Sequence, residues 1–239
     1  MIRRVTIPWP ADQATIRRGR PRRLLAVSDE VEASLERADN RSAIAPLDLI
    51  VGCGDLSPSY LAMLGDSFGV PLVYVRGNHD RGAGWDAEVP QLPEPLPDAR
   101  VEVIDGLPLV GLSWPGGFSG RAGRDERDAW RQVVRLGLAR RGPCPRLVIS
   151  HVPPAGAGDD PTDAYHRGFR AYGWLTQRLK PLLWLHGHTT VATRRSHVVM
   201  QGATTFVNVT GATLIELAPM AIDGLPEEGD TAAAPEGSP

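Results

Sequence analysis

Short runs of Val, Ile and Leu recur along the chain, and each run ends in a cluster of polar residues. Apolar runs of this length, bounded by polar and turn-forming residues, are typical of buried strands. We therefore predict five buried strands, at Leu24–Val27, Leu47–Val51, Leu72–Val75, Leu147–Ile149 and Leu182–Leu185.

Two further pairs of apolar runs flank short turn sequences. The pairs are Val101–Ile104 with Leu107–Leu112, and Thr205–Val209 with Thr213–Leu217. The first pair surrounds Asp105-Gly106, a dipeptide that favours the backbone of a tight hairpin turn. The second pair surrounds Thr210–Ala212. We predict a hairpin at each place, so the sheets should be mixed.

Three segments carry helical signals. The first has a cap at Ser57, proline at the first helical position and a stop near Gly69. The second runs from Asp125 to Arg140, with an apolar stripe of Trp130, Val133, Val134 and Leu138. The third ends before Pro181 and places four apolar residues at helical spacing: Phe169, Tyr172, Leu175 and Leu179. Alternation of strands and helices, with added hairpins, predicts a layered α/β (α+β) domain.

Composition narrows the class of protein. The chain has 239 residues, of which 42% are hydrophobic and 23% charged, which is typical of a globular protein. No apolar run reaches the roughly 18 residues that a membrane-spanning helix requires, so we expect no membrane insertion. No signal-peptide pattern follows Met1, and we expect a cytoplasmic location. Cys53 and Cys144 fit no zinc or redox spacing.

The two ends of the chain carry opposite charge. Residues 1–23 contain seven arginines against one aspartate, whereas residues 218–239 contain five acids and no base. A basic arm can attract nucleic acid, but we favour a solvated arm without function. We predict a basic N-terminal extension over residues 1–22, one domain over 23–217 and a disordered acidic tail over 218–239. The sequence does not indicate whether the protein forms oligomers.

Side chains that can bind metals follow the predicted strands directly. They are Asp29, Asp55, Asn78, His151, His186 and His188. Ligands bind beyond the carboxyl ends of strands in α/β sheets, so these groups can converge there. Each has a simpler explanation as a turn former or a structural histidine. However, five of the six histidines lie in or near these strand ends. Oxygen and imidazole ligands without thiolate suit Mn, Fe, Zn or Mg.

Five short motifs occur at these strand ends. They are SDEV at 28–31, GD at 54–55, GNHD at 77–80, SH at 150–151 and GHTT at 187–190. In this order and spacing they resemble the calcineurin-like metallophosphoesterases. The resemblance implies a four-layer αββα sandwich with two mixed β-sheets and two divalent metals. It also implies hydrolysis of a phosphate mono- or diester by attack of a metal-activated water.

The resemblance implies ligands for each metal. The ligands of the second metal are Asp55, Asn78, His151 and His188. Among them, Asp55 is the ligand that bridges both metals in the family. The first metal retains Asp29 and the bridging carboxylate, because Val31 and Thr190 stand where the family has histidines. We expect a complete second site beside a depleted first site, with His186 as a less favoured replacement ligand. Mn is the expected cofactor, with Fe, Zn, Mg and Ni as alternatives and one or two ions bound.

The same resemblance assigns roles to residues beside the ligands. His79 resembles the family's catalytic histidine, which donates to the leaving oxygen, and Asp80 would orient its ring. In the segment after the SH motif, His166 and Arg167 are candidate substrate contacts, and a helix-cap cluster explains them equally well. The alternative function is a catalytically weak or inactive metal-binding scaffold that acts through protein–protein contacts.

Overall fold

A computed structural model of the chain describes residues 2–10, 16–17, 19–80, 85, 89, 91–116, 122–139, 143–190 and 197–220. Its strands are β1 (Arg3–Pro10), β2 (Ile16–Arg17), β3 (Arg20–Ser28), β4 (Leu49–Gly52), β5 (Leu72–Tyr74), β6 (Val101–Ile104), β7 (Leu107–Leu112), β8 (Leu147–Ser150), β9 (Leu183–His186), β10 (Val198–Gln201), β11 (Thr204–Asn208) and β12 (Gly211–Met220). Its α-helices are α1 (Ala38–Ile44), α2 (Pro58–Phe68), α3 (Ala122–Ala139) and α4 (Arg170–Leu179), and a 3₁₀ helix spans Ala33–Glu36.

The strands form two mixed sheets of six strands each. The first sheet has the order β1-β12-β3-β4-β5, and β2 pairs with β3. The second has the order β10-β11-β9-β8-β7-β6. Parallel pairing joins β3, β4 and β5 in the first sheet. It also joins β7, β8, β9 and β11 in the second. Parallel neighbours end at the same edge, so the residues after them share that edge.

Alternation of side chains along the strands explains the layers. In β3, Leu24 and Ala26 belong to the core between the two sheets. Leu25 and Val27 pack instead with residues of α1 and α2. In β9, Trp184 packs with residues of α3 and α4. Because successive side chains point to opposite faces, continuous apolar runs bury both faces of each sheet. The predicted four-layer αββα sandwich is confirmed.

Local signals for turns and helix ends are borne out. The predicted first hairpin forms between β6 and β7, which are antiparallel. Its turn residues Asp105 and Gly106 have φ of 50° and 81°. Helix α2 begins at Pro58 behind a side-chain cap from Ser57 and ends at Gly69 with φ of 59°. None of the helices within the described ranges has the length and apolarity needed to cross a membrane.

The predicted second hairpin is wrong. Strand β11 pairs with β9 and β10 in the second sheet, whereas β12 pairs with β1 and β3 in the first. The turn between them therefore carries the chain from one sheet to the other. The cause is long-range pairing, because β12 finds hydrogen-bonding partners on both sides in strands near the start of the chain.

The first sheet begins inside the predicted N-terminal extension. Arg3–Pro10 is the edge strand β1 and runs parallel to β12. Ile7 is 2% exposed and Trp9 is fully buried, so this segment is not a solvated arm. At the other end, β12 extends to Met220, and residues 221–239 of the predicted acidic tail lie outside the described residues.

The predicted apolar stripe of α3 is correct only at Val133, which is 3% exposed. The other three residues lie at the surface, with exposed fractions of 38% for Trp130, 56% for Val134 and 81% for Leu138. Gln132 takes a place in the buried face, and its amide donates to Asp98 Oδ1 at 2.7 Å. It also accepts the Tyr172 hydroxyl at 2.6 Å. A buried amide is tolerated once it is hydrogen-bonded. A prediction of the buried face from hydrophobicity alone therefore left out Gln132.

Substitution of Trp9 tests whether β1 belongs to the core. Trp9→Ala is expected to lower the free energy of unfolding by about 3–5 kcal/mol, because a large buried side chain is lost. The matched control is Trp174→Ala, which removes the same side chain from a position that is 44% exposed and should cost about 1 kcal/mol or less. Urea unfolding followed by circular dichroism measures both values. Equal effects would contradict a core role for β1.

Candidate metal centre

Four side chains from both sheets converge on one point. Asp55 and Asn78 follow β4 and β5 of the first sheet, while His151 and His188 follow β8 and β9 of the second. The Nε2 atom of His151 lies 2.9 Å from Asn78 Oδ1, 3.2 Å from Asp55 Oδ2 and 3.2 Å from His188 Nδ1. The structure therefore brings together the four residues that the family resemblance implied for the second metal.

Backbone carbonyls fix the orientation of both imidazoles. His151 Nδ1 lies 2.9 Å from Cys53 O, and His188 Nε2 lies 2.9 Å from Tyr165 O. A carbonyl oxygen only accepts, so these two ring nitrogens are the donors. The opposite nitrogens, Nε2 of His151 and Nδ1 of His188, face the common point. Histidines that bind metals are commonly held in this way by a second hydrogen bond.

The atoms around the common point require a positive charge between them. Burial lowers the pKa of His151, but the hydrogen bond and charge of Asp55 outweigh burial and raise it to about 9. Burial and the neighbouring charge of His151 lower the pKa of His188 to about 3. A proton on His151 can supply the charge, and so can a divalent cation. Two oxygens and two imidazole nitrogens fit cations such as Mn, Fe or Zn.

Asp29 borders the same point. One ligand atom each from Asp29, Asp55 and His151 lies within 4.8 Å of the others. The Asp29 carboxylate accepts the backbone N–H of His188 at 3.0 Å. Glycine is needed at residue 187, since a side chain there would collide with this carboxylate. Asp29 is thus close enough to contribute to the adjacent ion, the first metal of the family resemblance.

Asp29 is linked through Thr210 to Arg3, a residue near the start of the chain. The Thr210 hydroxyl lies 3.2 Å from Asp29 Oδ2. The Arg3 guanidinium in turn donates to the backbone carbonyl of Thr210 and, at 3.2 Å, to the Thr213 hydroxyl. Arg3 of β1 thus supports the residue that contacts Asp29, a link that the sequence did not predict.

The positions of the two absent histidines face solvent. Val31 is 49% exposed, and Thr190 is also exposed. His186 places its ring Nδ1 3.2 Å from the backbone carbonyl oxygen of Gly187. It is fully buried, and its ring Nε2 lies so close to Gly158 that a Cβ there would be 2.9 Å away. His186 therefore sits as a buried strand-end histidine.

His79 lies at the rim of the site. Its backbone N–H donates to Asp55 Oδ1 at 2.8 Å, which places the residue directly beside this candidate ligand. Its ring Nε2 is 3.4 Å from the Tyr165 hydroxyl, and the side chain is exposed. The ring is therefore accessible to a molecule that enters the site from solvent.

Asp80 braces the backbone of two ligand loops. Its Oδ2 accepts the N–H of Asp55 at 2.7 Å and the N–H of Gly77 at 2.8 Å. Burial raises the pKa of this carboxyl. The hydrogen bonds given by the structure thus hold the loops together, and the expected orientation of the His79 ring by Asp80 stays a prediction.

The two candidate substrate contacts, His166 and Arg167, lie in the segment before α4 and have different surroundings. The ring of His166 lies 5.4 Å from that of His188, centroid to centroid, and its Nδ1 bonds the Asp163 carboxylate. Arg167 is exposed and donates to Pro161 O at 3.1 Å within its own loop. His166 therefore lies next to the candidate ligands, whereas Arg167 is engaged in the loop.

Sequence reasoning missed two aromatic residues at the site. The ring of Trp114 lies 5.5 Å from that of His188 and 6.2 Å from that of His151. Tyr165 accepts a hydrogen bond from Asn78 Nδ2 on its hydroxyl at 2.7 Å. Trp114 follows the predicted strand Leu107–Leu112, so the strand-end rule could have found it. Tyr165 lies in a loop with no such signal.

Comparisons with known proteins bear on the family and the fold of the chain. A protein-family model described as calcineurin-like phosphoesterase matches residues 22–192. No curated protein sequence matches the chain. One similar crystal structure has a TM-score of 0.59 at 15% identity and covers 82% of this chain and 95% of its own. The protein TT1561 of Thermus thermophilus has a TM-score of 0.51 at 16% identity and covers 80% of this chain and 89% of its own. At such low identity these two structures support the fold alone.

Metal binding near neutral pH is expected to release a proton from His151. A metal ligand must be the neutral imidazole, and the pKa of about 9 keeps this ring protonated at pH 7.5. Calorimetric titration of Mn²⁺ at pH 7.5, in buffers of different ionisation enthalpy, should give about one proton per ion.

Two variants make this measurement specific. His151→Gln removes both the titrating ring and a candidate ligand, so it should lose the proton release together with much of the Mn²⁺ affinity, whereas His197→Gln, which changes a histidine outside the cluster, should leave both unchanged. A count near zero in the unaltered protein would contradict the charged state assigned to His151.

Proposed function

The chain belongs to the calcineurin-like phosphoesterase family, and from this premise we propose that it is a metal-dependent hydrolase of phosphate mono- or diesters. The observation that carries the proposal is the convergence of Asp55, Asn78, His151 and His188 on one point, with both imidazoles turned toward it. Backbone carbonyls hold both rings with the opposite nitrogen turned toward this point, which is the arrangement common among histidines that bind metals.

The proposed site holds one ion more tightly than the other. The second site has four side-chain ligands, and its expected ion is Mn²⁺, with Fe, Zn, Mg and Ni as alternatives. The first site has Asp29 and the shared carboxylate of Asp55, while Val31 and Thr190 offer no imidazole. Fewer protein ligands give weaker binding, so the first ion should be labile or absent at ordinary metal concentrations.

The residues of the chain have distinct tasks in the proposed reaction. A divalent cation in this site supplies Lewis-acid charge that favours ionisation of water and offsets charge on the phosphoryl oxygens. The exposed ring of His79 can donate a proton to the leaving oxygen at the rim. Asp80 keeps the two loops that carry Asp55 and Asn78 at a fixed separation. Such positioning matters because phosphoryl transfer depends mainly on geometry and charge.

The second candidate function is a metal-binding scaffold with little or no turnover. The observation that favours it is the joint loss of both imidazoles from the same metal site, at Val31 and Thr190. Loss of one ion removes charge stabilisation of several kcal/mol from the reaction. A scaffold would keep the sandwich and one ion and would act through contacts with another protein.

Measurement of turnover at known metal content distinguishes the hydrolase from the metal-binding scaffold. The purified chain with Mn²⁺ is expected to hydrolyse a p-nitrophenyl phosphate monoester or bis(p-nitrophenyl) phosphate. His79→Ala should reduce kcat by a factor of about 10²–10⁴ while the metal content stays constant. His197→Gln is the control and should retain full activity. No turnover with any divalent metal, at confirmed occupancy, would contradict the hydrolase and favour the scaffold.

Restoring the absent imidazoles tests the depleted first site. Because residues 31 and 190 are exposed, the double variant Val31→His, Thr190→His should fold normally. We expect metal analysis to find about one tightly held ion in the unaltered chain and about two in the variant. Filling of the first site by an additional ion should raise kcat/KM about tenfold or more.

The control for this experiment is Val31→Leu, Thr190→Val, which alters the same positions without adding a ligand. It should match the unaltered chain in metal content and in rate. Two tightly held ions in the unaltered protein would show that the first site is not depleted.

A further inference from the structure

Tyr165 joins the candidate metal ligands to the rim of the site. Its backbone carbonyl accepts His188 Nε2, while its hydroxyl lies 2.7 Å from Asn78 Nδ2 and 3.4 Å from His79 Nε2. The residue is 39% exposed, so the hydroxyl borders both the ligands and the solvent. None of the motifs that define the site contains this residue.

The direction of each hydrogen bond leaves the phenolic proton available. Asn78 Nδ2 can only donate, so the Tyr165 oxygen is the acceptor in the shorter contact. The proton of the hydroxyl therefore points elsewhere, toward His79 or toward a ligand oxygen. At 3.4 Å the contact with His79 is long, and an anionic oxygen is a better acceptor.

Hydrogen bonds within the loop hold Tyr165 in place. Its backbone N–H donates to Asp163 Oδ1 at 2.9 Å. Asp159 crosses the base of the loop, where it accepts the N–H groups of Gly156 at 2.8 Å and Gly168 at 3.0 Å. A donor fixed before the ligand arrives loses little entropy on binding and can favour one position of a bound anion.

We propose that Tyr165 is a substrate-contacting residue whose hydroxyl donates a hydrogen bond to a non-bridging oxygen of the phosphoryl group, next to His79. The inference rests on the proposed function, since it takes the phosphate ester as the ligand of this site. It gives Tyr165 a role for which the sequence offered His166 and Arg167 as candidates. Tyr165 contacts the ligand Asn78 directly, whereas Arg167 bonds within its own loop.

The test is Tyr165→Phe, which removes the hydroxyl and keeps the ring and the backbone carbonyl that holds His188. Calorimetry first measures the affinity for Mn²⁺ and then the affinity of the Mn²⁺-loaded protein for inorganic phosphate. We expect the Mn²⁺ affinity to stay within about twofold, and the Kd for phosphate to rise about tenfold, as for loss of a hydrogen bond to a charged group. With an ester that is turned over, kcat/KM should fall by a similar factor.

The matched control is Tyr172→Phe, which removes a hydroxyl that donates to Gln132 Oε1 at 2.6 Å in the core. It should lower stability and leave the Kd for phosphate unchanged. Phosphate binding needs no turnover, so it can support Tyr165 even if every ester assay fails and the proposed hydrolase is rejected.

Three outcomes would overturn the inference. The first is equal phosphate affinity in Tyr165→Phe and the unaltered protein. The second is parallel loss of Mn²⁺ and phosphate, because the hydroxyl would then act by orienting Asn78. The third is an unaltered protein that binds Mn²⁺ but no phosphate.

Discussion

The electrostatics around His151 Nε2 dominate the site. Three acceptors, Asn78 Oδ1, Asp55 Oδ2 and His188 Nδ1, lie within 3.2 Å of this atom. They repel one another unless a proton or a cation lies among them. The backbone carbonyls of Cys53 and Tyr165 and the hydrogen bonds of Asp80 to the two loops keep these groups together. The fold therefore sets the conditions for metal binding through backbone positions as much as through the side chains.

Support for the site extends beyond the part of the chain that the family model matches. That match ends at residue 192, whereas Thr210 holds Asp29 and Arg3 holds Thr210. The first and last strands of the described chain pair with each other, and this pairing brings Arg3 close to the residues that hold the carboxylate. Arg3, one of the arginines that gave the N-terminal segment its basic charge, thus has a structural use near the candidate metal centre.

Because Val31 and Thr190 offer no imidazole, the proposed chemistry depends on the side of the site that holds the second metal. His79, Asn78 and Tyr165 lie on that side and can all contact an anionic ligand. Neutral donors cannot replace the charge of a second ion, but they can orient a phosphoryl group next to a single one. In the proposed function, this second site and the hydrogen-bond donors at its rim together bind the phosphate ester.

The residues alone predicted a layered α/β fold with metal-binding side chains at the strand ends, because short apolar runs and strand-end motifs are properties of neighbouring residues. The choice of four ligands and the expectation of imidazole at residues 31 and 190 came from the family resemblance. The sequence could not determine that β11 and β12 lie in different sheets, that Arg3–Pro10 is a strand or that Gln132 is buried in α3. Those outcomes depend on partners far away in sequence, such as β1 with β12 or Gln132 with Asp98. Tyr165 became part of the site for the same reason, since only the folded loop brings its hydroxyl to Asn78.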